Sequence, residues 1–235
     1  AKKFKAKQVQ IQHHLAHIFS AYGESLLKNI CPVTSPSEFY GIACDGTGYG
    51  LDRKIWGGEI FRIKIAKLKI KNIERVGHLE NQVLIGGDLA IKEPARMLIS
   101  VLRKFLDKKA VYNFVKKIYS RNQFELLYNQ LQQNFNCQET SSAGRILDAV
   151  SVLLGFSGNK RNYKHESIDL LEKNSSRPYK ILPKIKKIAD GYQLLTIPLF
   201  EYLIKNLGKD KQRLAATAQL YIAKGLYQII FNIQY

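Results

Sequence analysis

Cysteine is scarce in this chain, and its three copies are widely separated. Cys31, Cys44 and Cys137 are odd in number and far apart. This spacing suggests neither a disulfide framework nor a Cys-x-x-Cys zinc site. Cys44 lies in a predicted strand, where we interpret it as a small buried apolar residue.

Long apolar runs are also missing. No stretch approaches the roughly 20 residues that span a bilayer, and the charged N-terminus is not followed by the apolar region of a signal peptide. We therefore predict a cytoplasmic protein with no membrane partner. Its 235 residues, of which 46% are hydrophobic, suffice for one large domain or two small ones.

Acidic residues are few, with 19 Asp and Glu against 37 Lys and Arg, giving a net charge of +18. Such a surplus invites a nucleic-acid hypothesis. However, the lysines alternate with Ile and Leu over residues 63–70, a pattern typical of the solvated face of a strand. We interpret the charge as a compositional lysine bias and do not expect a nucleic-acid partner.

A glycine-rich segment is the most informative motif present. Residues 41–44 predict a buried strand, and the sequence Asp-Gly-Thr-Gly-Tyr-Gly follows at 45–50. Three glycines in five positions let the backbone turn sharply and present N–H groups to an anion, which indicates a phosphate site. An ordinary hairpin turn is the alternative. Gly57 and Gly58 would allow close approach to a ligand or a neighbouring strand, or simply kink a hairpin.

A pair of histidines precedes that motif. His13 and His17 are four residues apart in a predicted helix over 11–22, which Gly23 would end. Their imidazoles then stand one turn apart on one face and could share a divalent ion. Because two ligands complete no coordination shell, two solvent-facing histidines are an equal alternative.

The remaining pattern predicts a mixed α/β protein, helix-rich in its second half. Helices are expected over 94–105, 111–131, 143–154, 194–207 and 213–230, with a linker at 173–187. A helix beginning after Thr140-Ser141-Ser142 would also offer free N–H groups to an anion. We divide the chain into a lead and metal-binding helix (1–23), a partial nucleotide-binding unit (24–172) and a helical continuation (173–235).

Four blocks in fixed order resemble the carbamoyltransferase domain of the HypF family, which helps to make the cyanide ligands of nickel-iron hydrogenases. They are Gln-His-His-x-Ala-His (12–17), Asp-Gly-Thr-Gly-Tyr-Gly…Trp-Gly-Gly-Glu (45–59), Gly-Gly-Asp…Glu-Pro-x-Arg-Met (86–97) and Thr-Ser-Ser-Ala-Gly-Arg…Leu-Asp-Ala (140–149). The resemblance implies a partial actin-like, sugar-kinase-like ATPase fold.

The same resemblance implies roles for individual residues. It places an iron-type metal, iron or possibly zinc, on His13 and His17, and gives catalytic roles to Asp45 and Thr47. It also implies a site for ATP, AMP or carbamoyl-adenylate. The implied nucleotide-binding residues are Asp45, Gly46, Thr47, Gly48, Tyr49 and Gly50 near the phosphate, with Gly144 and Asp148 near the ribose.

The implied reaction moves a carbamoyl group from carbamoyl-adenylate to the C-terminal cysteine of a HypE-like acceptor. Segments expected on both sides of this region in the family are not found here, so we expect an incomplete domain that a further chain could complete. Two alternatives stay open. One is a non-catalytic or split-gene fragment that binds nucleotide or partner, and the other is a transferase acting on tRNA or a small molecule.

Overall fold

The computed structural model describes residues 10–28, 38–66 and 69–234. Over these ranges the protein is mixed α/β and helix-rich after residue 89, as the sequence predicts. The strands are β1 (Glu38–Tyr49), β2 (Ile55–Ala66), β3 (Lys69–Leu79), β4 (Gln82–Ile85), β5 (Cys137–Thr140), β6 (Ile185–Ile188) and β7 (Gly191–Leu194). The helices are α1 (His13–Leu27), α2 (Leu89–Lys92), α3 (Ala95–Leu102), α4 (Lys108–Val115), α5 (Arg121–Gln132), α6 (Ala143–Leu154), α7 (Glu166–Lys173), α8 (Ile197–Lys205) and α9 (Lys211–Gln234).

One mixed sheet holds all of these strands. Its centre is the antiparallel meander β1–β2–β3. β5 joins β2 in parallel through the pair Ile55 and Thr140, with β4 antiparallel on its other side. β7 runs parallel to β3 and carries β6. β6 and β7, near the C-terminal end of the described residues, therefore belong to the same sheet as the glycine-rich strand.

Side-chain caps explain the starts of several helices. Ser142 caps α6 by accepting the N–H of Arg145 on its hydroxyl, so the predicted helix over 143–154 is confirmed. The predicted helix over 111–131 is wrong as a single element. Ser120 starts a new helix there, with Gln123 completing a capping box, so the run divides into α4 and α5.

Two sequence expectations about glycine are wrong. Gly23 does not end the histidine helix, which continues to Leu27. Residues 45–50 are not the turn of the hairpin, because β1 runs on to Tyr49. The chain instead reverses after Gly50, whose N–H bonds to the carbonyl oxygen of Lys54 at 2.8 Å.

The main core lies between the sheet and the helices α3, α6, α8 and α9, and its largest fully buried rings are those of Phe124, Phe200 and Tyr221. A second, smaller cluster holds α1 on the opposite face of the sheet. There Ile18 packs with Trp56, Phe61 and Ile63 of β2. This small cluster fixes the distance between the histidine helix and the glycine-rich strand.

Cys44 departs from its expected environment, because it is exposed, whereas the sequence analysis placed it in the interior. Its neighbours Ala43 and Gly41 are buried, so alternation along β1 turns Cys44 outward. Cys31 lies outside the described residues. No helix in the described ranges is long and apolar enough to cross a membrane.

Glycine at position 57 is required by a close approach between neighbouring strands. Its φ is 155°, and a Cβ there would lie 2.3 Å from the carbonyl oxygen of Asp45. We expect Gly57→Ala to lower the free energy of unfolding by about 2–4 kcal/mol, measured by denaturant titration. Gly208→Ala is the matched control, since no atom lies within 4 Å of that added Cβ. Equal stability of the two variants would contradict this account.

Glu80 ties the turn after β3 to the start of α8. Its carboxylate accepts the N–H groups of Thr196 at 2.8 Å and Ile197 at 3.2 Å, and Lys104 Nζ lies 3.1 Å away. Burial raises the pKa of Glu80, but Lys104 and the two N–H groups outweigh it and hold the pKa below its usual range.

A depressed carboxylate pKa stabilises the fold above the unfolded-state value and ceases to do so as the pH falls through the folded-state value. We therefore expect Glu80→Gln to cost about 1–3 kcal/mol at neutral pH, with the difference from the parent shrinking below about pH 4.5. Unfolding titrations between pH 3 and 7 measure this. Glu201→Gln, at an exposed position of α8, should show little effect, and a Glu80→Gln deficit that persists unchanged at pH 3 would refute the assignment.

Candidate metal and nucleotide site

The site is built on a bulge in β1. Cys44 pairs with Gly58 and Gly48 pairs with Trp56, so residues 45–47 of β1 stand opposite Gly57 alone. The extra residues turn the Asp45 side chain toward α1. Ser142 Oγ, at the start of α6, secures the bulge by donating to the carbonyl oxygens of Asp45 at 2.7 Å and Gly46 at 2.9 Å.

The histidine helix lies directly over this bulge. His14 is fully buried, with its Nδ1 2.7 Å from the side-chain nitrogen of Gln12, the N-cap of α1. Gly48 makes the approach possible, because a Cβ there would lie 2.6 Å from the His14 ring and 2.7 Å from the His13 ring. Burial lowers the pKa of His14, which keeps its ring neutral at pH 7.

Three donor atoms converge where helix and bulge meet. His13 Nε2 lies 2.7 Å from Asp45 Oδ2 and 3.2 Å from His17 Nε2. All three ligand atoms lie within 4.8 Å of one another. The His13 side chain is 49% exposed and that of Asp45 is 29% exposed, so the cluster is open to solvent. The structure thus brings the predicted histidine pair together on one face.

The sequence analysis placed Asp45 beside a phosphate and missed it as a possible third ligand. The available signal was a carboxylate immediately after a buried strand. Burial raises the pKa of Asp45, but the Gly46 N–H at 2.6 Å and the adjacent His13 outweigh this and hold the pKa below its usual range. Asp45 is therefore ionised at neutral pH, as a metal ligand must be.

This donor set fits the implied metal. Two imidazoles and one carboxylate on one side of an ion form the arrangement typical of non-haem iron(II), with positions left open for other ligands. Zinc accepts the same donors. The solvent exposure of His13 and His17 leaves room for a substrate atom to complete the shell.

An ion pair between Glu59 and Arg75 stabilises the Trp-Gly-Gly-Glu motif. Glu59 is fully buried and accepts from Arg75 Nε at 2.5 Å, from Ser141 Oγ and from the N–H of Gly57. The Arg75 guanidinium lies 4.4 Å from the centre of the Trp56 ring. Sequence reasoning missed Arg75, since nothing in the local pattern marks it. The pair fixes both strands beneath the bulge.

The two predicted ribose residues of α6 have different surroundings. Gly144 packs on the bulge, since a Cβ there would lie 2.9 Å from the Cα of Gly46. Asp148 is buried and forms ion pairs with Arg145, at 2.8 Å, and with Arg161. Burial raises the pKa of Asp148 against the opposing effect of the two arginines. Its role at a ribose stays a prediction.

The rest of the glycine-rich segment borders a groove of about 600 Å³. Thr47, Gly48 and Tyr49 line one side, and residues 10–13 line the other. Gly50 lies against Trp56, where a Cβ would come within 2.1 Å of the indole ring. The structure gives only the position of Thr47, Gly46 and Tyr49 beside the three metal donors. The catalytic role of Thr47 and the phosphate contacts of Gly46 and Tyr49 therefore stay predictions.

Comparison with known proteins agrees with the resemblance found in the sequence. Residues 41–235 match the family model described as the carbamoyltransferase Kae1-like domain, second subdomain. Over 238 aligned residues the chain is 39% identical to a probable carbamoyltransferase HypF of Methanocaldococcus jannaschii, covering 99% of this chain and 29% of that protein. Over 214 residues it is 29% identical to carbamoyltransferase HypF of Rhodobacter capsulatus, covering 90% of this chain and 26% of that one.

Solved structures give the same result. A full-length HypF, crystallised in a phosphate- and nucleotide-bound form, superposes with a TM-score of 0.82 at 27% identity, over 100% of this chain and 35% of that one. HypF of T. kodakarensis superposes with a TM-score of 0.79 at 28% identity, over 99% and 30% of the two chains. The chain therefore spans about a third of the length of these relatives. Since the family model covers most of its residues, the chain belongs to the HypF family of carbamoyltransferases.

Proposed function

We propose that this chain carries the carbamoyl-transfer site of a HypF-type protein. The carbamoyl group of carbamoyl-adenylate passes to the thiol of a C-terminal cysteine on a HypE-like acceptor, in the synthesis of cyanide ligands for nickel-iron hydrogenases. The observation that carries this proposal is the convergence of His13, His17 and Asp45 within 4.8 Å at the glycine-rich bulge. Carbamoyl transfer from an adenylate needs a group that polarises the carbamoyl carbonyl next to groups that hold the phosphate, and the metal donors and the glycine-rich bulge lie side by side where they would supply them.

The three donors would hold an iron-type divalent metal. When bound, that metal supplies Lewis-acid polarisation of the carbamoyl carbonyl. Asp45 contributes the negative charge of the ligand set because its pKa is depressed. Gly48 and the buried His14 set the height of α1 above the bulge, and so position His13.

Phosphate recognition falls to the bulge and the adjoining helix. Residues 45–47 are skipped in the pairing of β1 with β2. The N–H of Gly46 is bonded to the Asp45 carboxylate at 2.6 Å, so the anion would draw on the N–H groups next to it. The N-terminus of α6, which Ser142 joins to the bulge, adds a favourable dipole. These groups would hold the adenylate phosphate next to the metal ligands and stabilise charge as it moves onto the leaving group.

One bond forms and one bond breaks in the transfer. The acceptor sulfur bonds to the carbamoyl carbon, the bond between that carbon and the phosphate oxygen breaks, and AMP departs while the thiol proton passes to solvent. The products are a thiocarboxamide on the acceptor, AMP and one proton. Because the acceptor provides the nucleophile, no cysteine of this chain is needed for the step.

Metal binding is the first test. We expect the purified chain to bind one iron(II) or zinc ion, measured by calorimetry and metal analysis. His13→Ala, His17→Ala and Asp45→Asn should each weaken binding by at least about 100-fold, since each removes a direct ligand. His165→Ala, at an exposed histidine remote in sequence, is the control and should bind like the parent. Parent-like binding by all three ligand variants would refute the site.

The spacing between α1 and the bulge can be tested without changing any of the three metal ligands. Gly48→Ala keeps all three ligands, but its Cβ must displace the His13 and His14 rings. We expect metal affinity to fall by roughly 10–100-fold, the range seen when groups that orient ligands are changed. Gly23→Ala, in the same helix but with open space around the added Cβ, should leave the affinity unchanged. Unchanged affinity in Gly48→Ala would show that the approach of α1 does not set the site.

The transfer reaction is the direct test of function. With carbamoyl-adenylate supplied and a HypE-like acceptor present, mass spectrometry should show the acceptor gaining one carbamoyl group. His13→Ala should abolish this gain. Cys31→Ser, Cys44→Ser and Cys137→Ser should each retain it, because the nucleophile belongs to the acceptor. Loss of transfer in a cysteine variant that still binds metal would contradict the mechanism.

A further inference from the structure

Gln12 belongs to the Gln-His-His-x-Ala-His block, but the metal site as described gives it no role. It is the N-cap of α1, directly before the metal donor His13. Its side-chain oxygen, Oε1, accepts the N–H of Leu15 at 3.0 Å, which caps the helix. Its side-chain nitrogen, Nε2, donates to the carbonyl oxygen of Tyr49 at 3.1 Å and lies 2.7 Å from Nδ1 of His14. A single amide therefore links α1, a buried ring and the glycine-rich strand.

These contacts fix the orientation of the Gln12 amide. A backbone N–H needs an acceptor, which is the amide oxygen, and a carbonyl oxygen needs a donor, which is the amide nitrogen. Nε2 of Gln12 therefore donates its second hydrogen to Nδ1 of His14. A neutral imidazole has one donor and one acceptor nitrogen, so the proton of the His14 ring lies on Nε2. Gln12 thus selects the tautomer of His14 and holds its ring in one orientation.

The presence of glutamine at this position is itself informative. Ser, Thr, Asp and Asn are the residues favoured at an N-cap, and glutamine is not among them. A serine would cap α1, but its one short hydroxyl could not serve the helix, His14 and Tyr49 together. Capping alone therefore does not account for Gln12, whereas the bonds to the ring and to the strand do.

The metal donors lie on the two elements that this amide joins. His13 and His17 are on α1, and Asp45 is on β1, four residues before Tyr49. The His13 side chain is half exposed and meets the His14 ring edge-on, with ring centres 5.4 Å apart. The distance of 2.7 Å between His13 Nε2 and Asp45 Oδ2 therefore depends on how the first turn of α1 is held against β1.

We propose that Gln12 is the positioning residue of the metal site. Its bond to His14 fixes the ring against which His13 packs, and its bond to the Tyr49 carbonyl fixes the first turn of α1 against the glycine-rich strand. Groups behind metal ligands commonly orient those ligands in this way. The inference rests on the metal site proposed above, except for the tautomer of His14, which can be observed without metal.

The tautomer is tested on the whole chain without metal, by nitrogen NMR of the histidine rings at neutral pH. In the parent we expect Nδ1 of His14 to be unprotonated and Nε2 to be protonated. Gln12→Glu keeps the length of the side chain and the cap, but an ionised carboxylate can only accept. Nδ1 of His14 should therefore gain a proton in this variant, which it can donate to the carboxylate. A His14 ring whose Nδ1 stays unprotonated in Gln12→Glu would overturn the proposal.

Calorimetry with zinc(II) as the probe tests the positioning itself. Gln12→Ser retains a cap for α1 but loses the bonds to His14 and Tyr49, so we expect it to bind zinc roughly 10–100-fold more weakly than the parent. Gln12→Glu should also bind more weakly, although its added negative charge alone would attract a cation. Gln228→Glu, at an exposed position of α9, adds the same charge and should bind like the parent.

The outcomes distinguish this proposal from the metal site on which it rests. If the parent binds zinc and His13→Ala does not, the metal site is supported. Parent-like affinity in both Gln12→Ser and Gln12→Glu would then overturn the role of Gln12 alone. A parent chain that binds no zinc would refute the metal site and the positioning role together. Weaker binding in both Gln12 variants, with parent-like binding in Gln228→Glu, is the result that supports the proposal.

Discussion

The approach of Gly57 to the carbonyl oxygen of Asp45 is the constraint on which the site depends. A strand normally pairs residue for residue, but here three residues of β1 stand opposite one of β2, and the bulge comes so close to that residue that it has no room for a side chain. Gly57 meets that condition, and Ser142 then fixes the displaced carbonyls from the side of α6. With the bulge held from two sides, Asp45 faces α1 without any contribution from a loop. The ligand set therefore rests on regular structure, which makes its geometry precise.

Sequence reasoning succeeded where the physics is local. The cap at Ser142 and the apolar spacing behind it predicted α6 to the residue, since both signals act within one turn. It failed at residues 45–50, where composition suits a turn and a bulge equally well. The choice between them depends on Gly57, in the partner strand, and on the small cluster under α1. The prediction that Gly23 ends α1 is wrong for a similar reason. Packing around Ile18 and Phe39 extends α1 past Gly23, although glycine is a weak helix former.

The histidine pair shows that the same limit of local sequence signals applies to the site. Spacing alone places His13 and His17 on one face, which the structure confirms, but spacing cannot identify a third ligand 28 residues further on. Asp45 reaches them only because the bulge and the small residue Gly48 let the helix approach the strand. Arg75 and Glu59 are harder still to anticipate, because their pairing depends on the register of β2 with β3. The register between strands that are distant in sequence cannot be read from a single sequence.

The surplus of 18 positive charges is informative only once its location is known. Arg75 is neutralised by Glu59 and covered by Trp56, so it strengthens the scaffold. Arg161 is a different case, because the carboxylate beside it is already shared with Arg145. An exposed lysine keeps its hydration at little cost. A buried guanidinium that shares its carboxylate with a second arginine carries a desolvation penalty. For Arg161 that penalty is offset by Asp148 and by the carbonyl oxygen of Lys164, which accepts from Arg161 Nη1 at 2.8 Å.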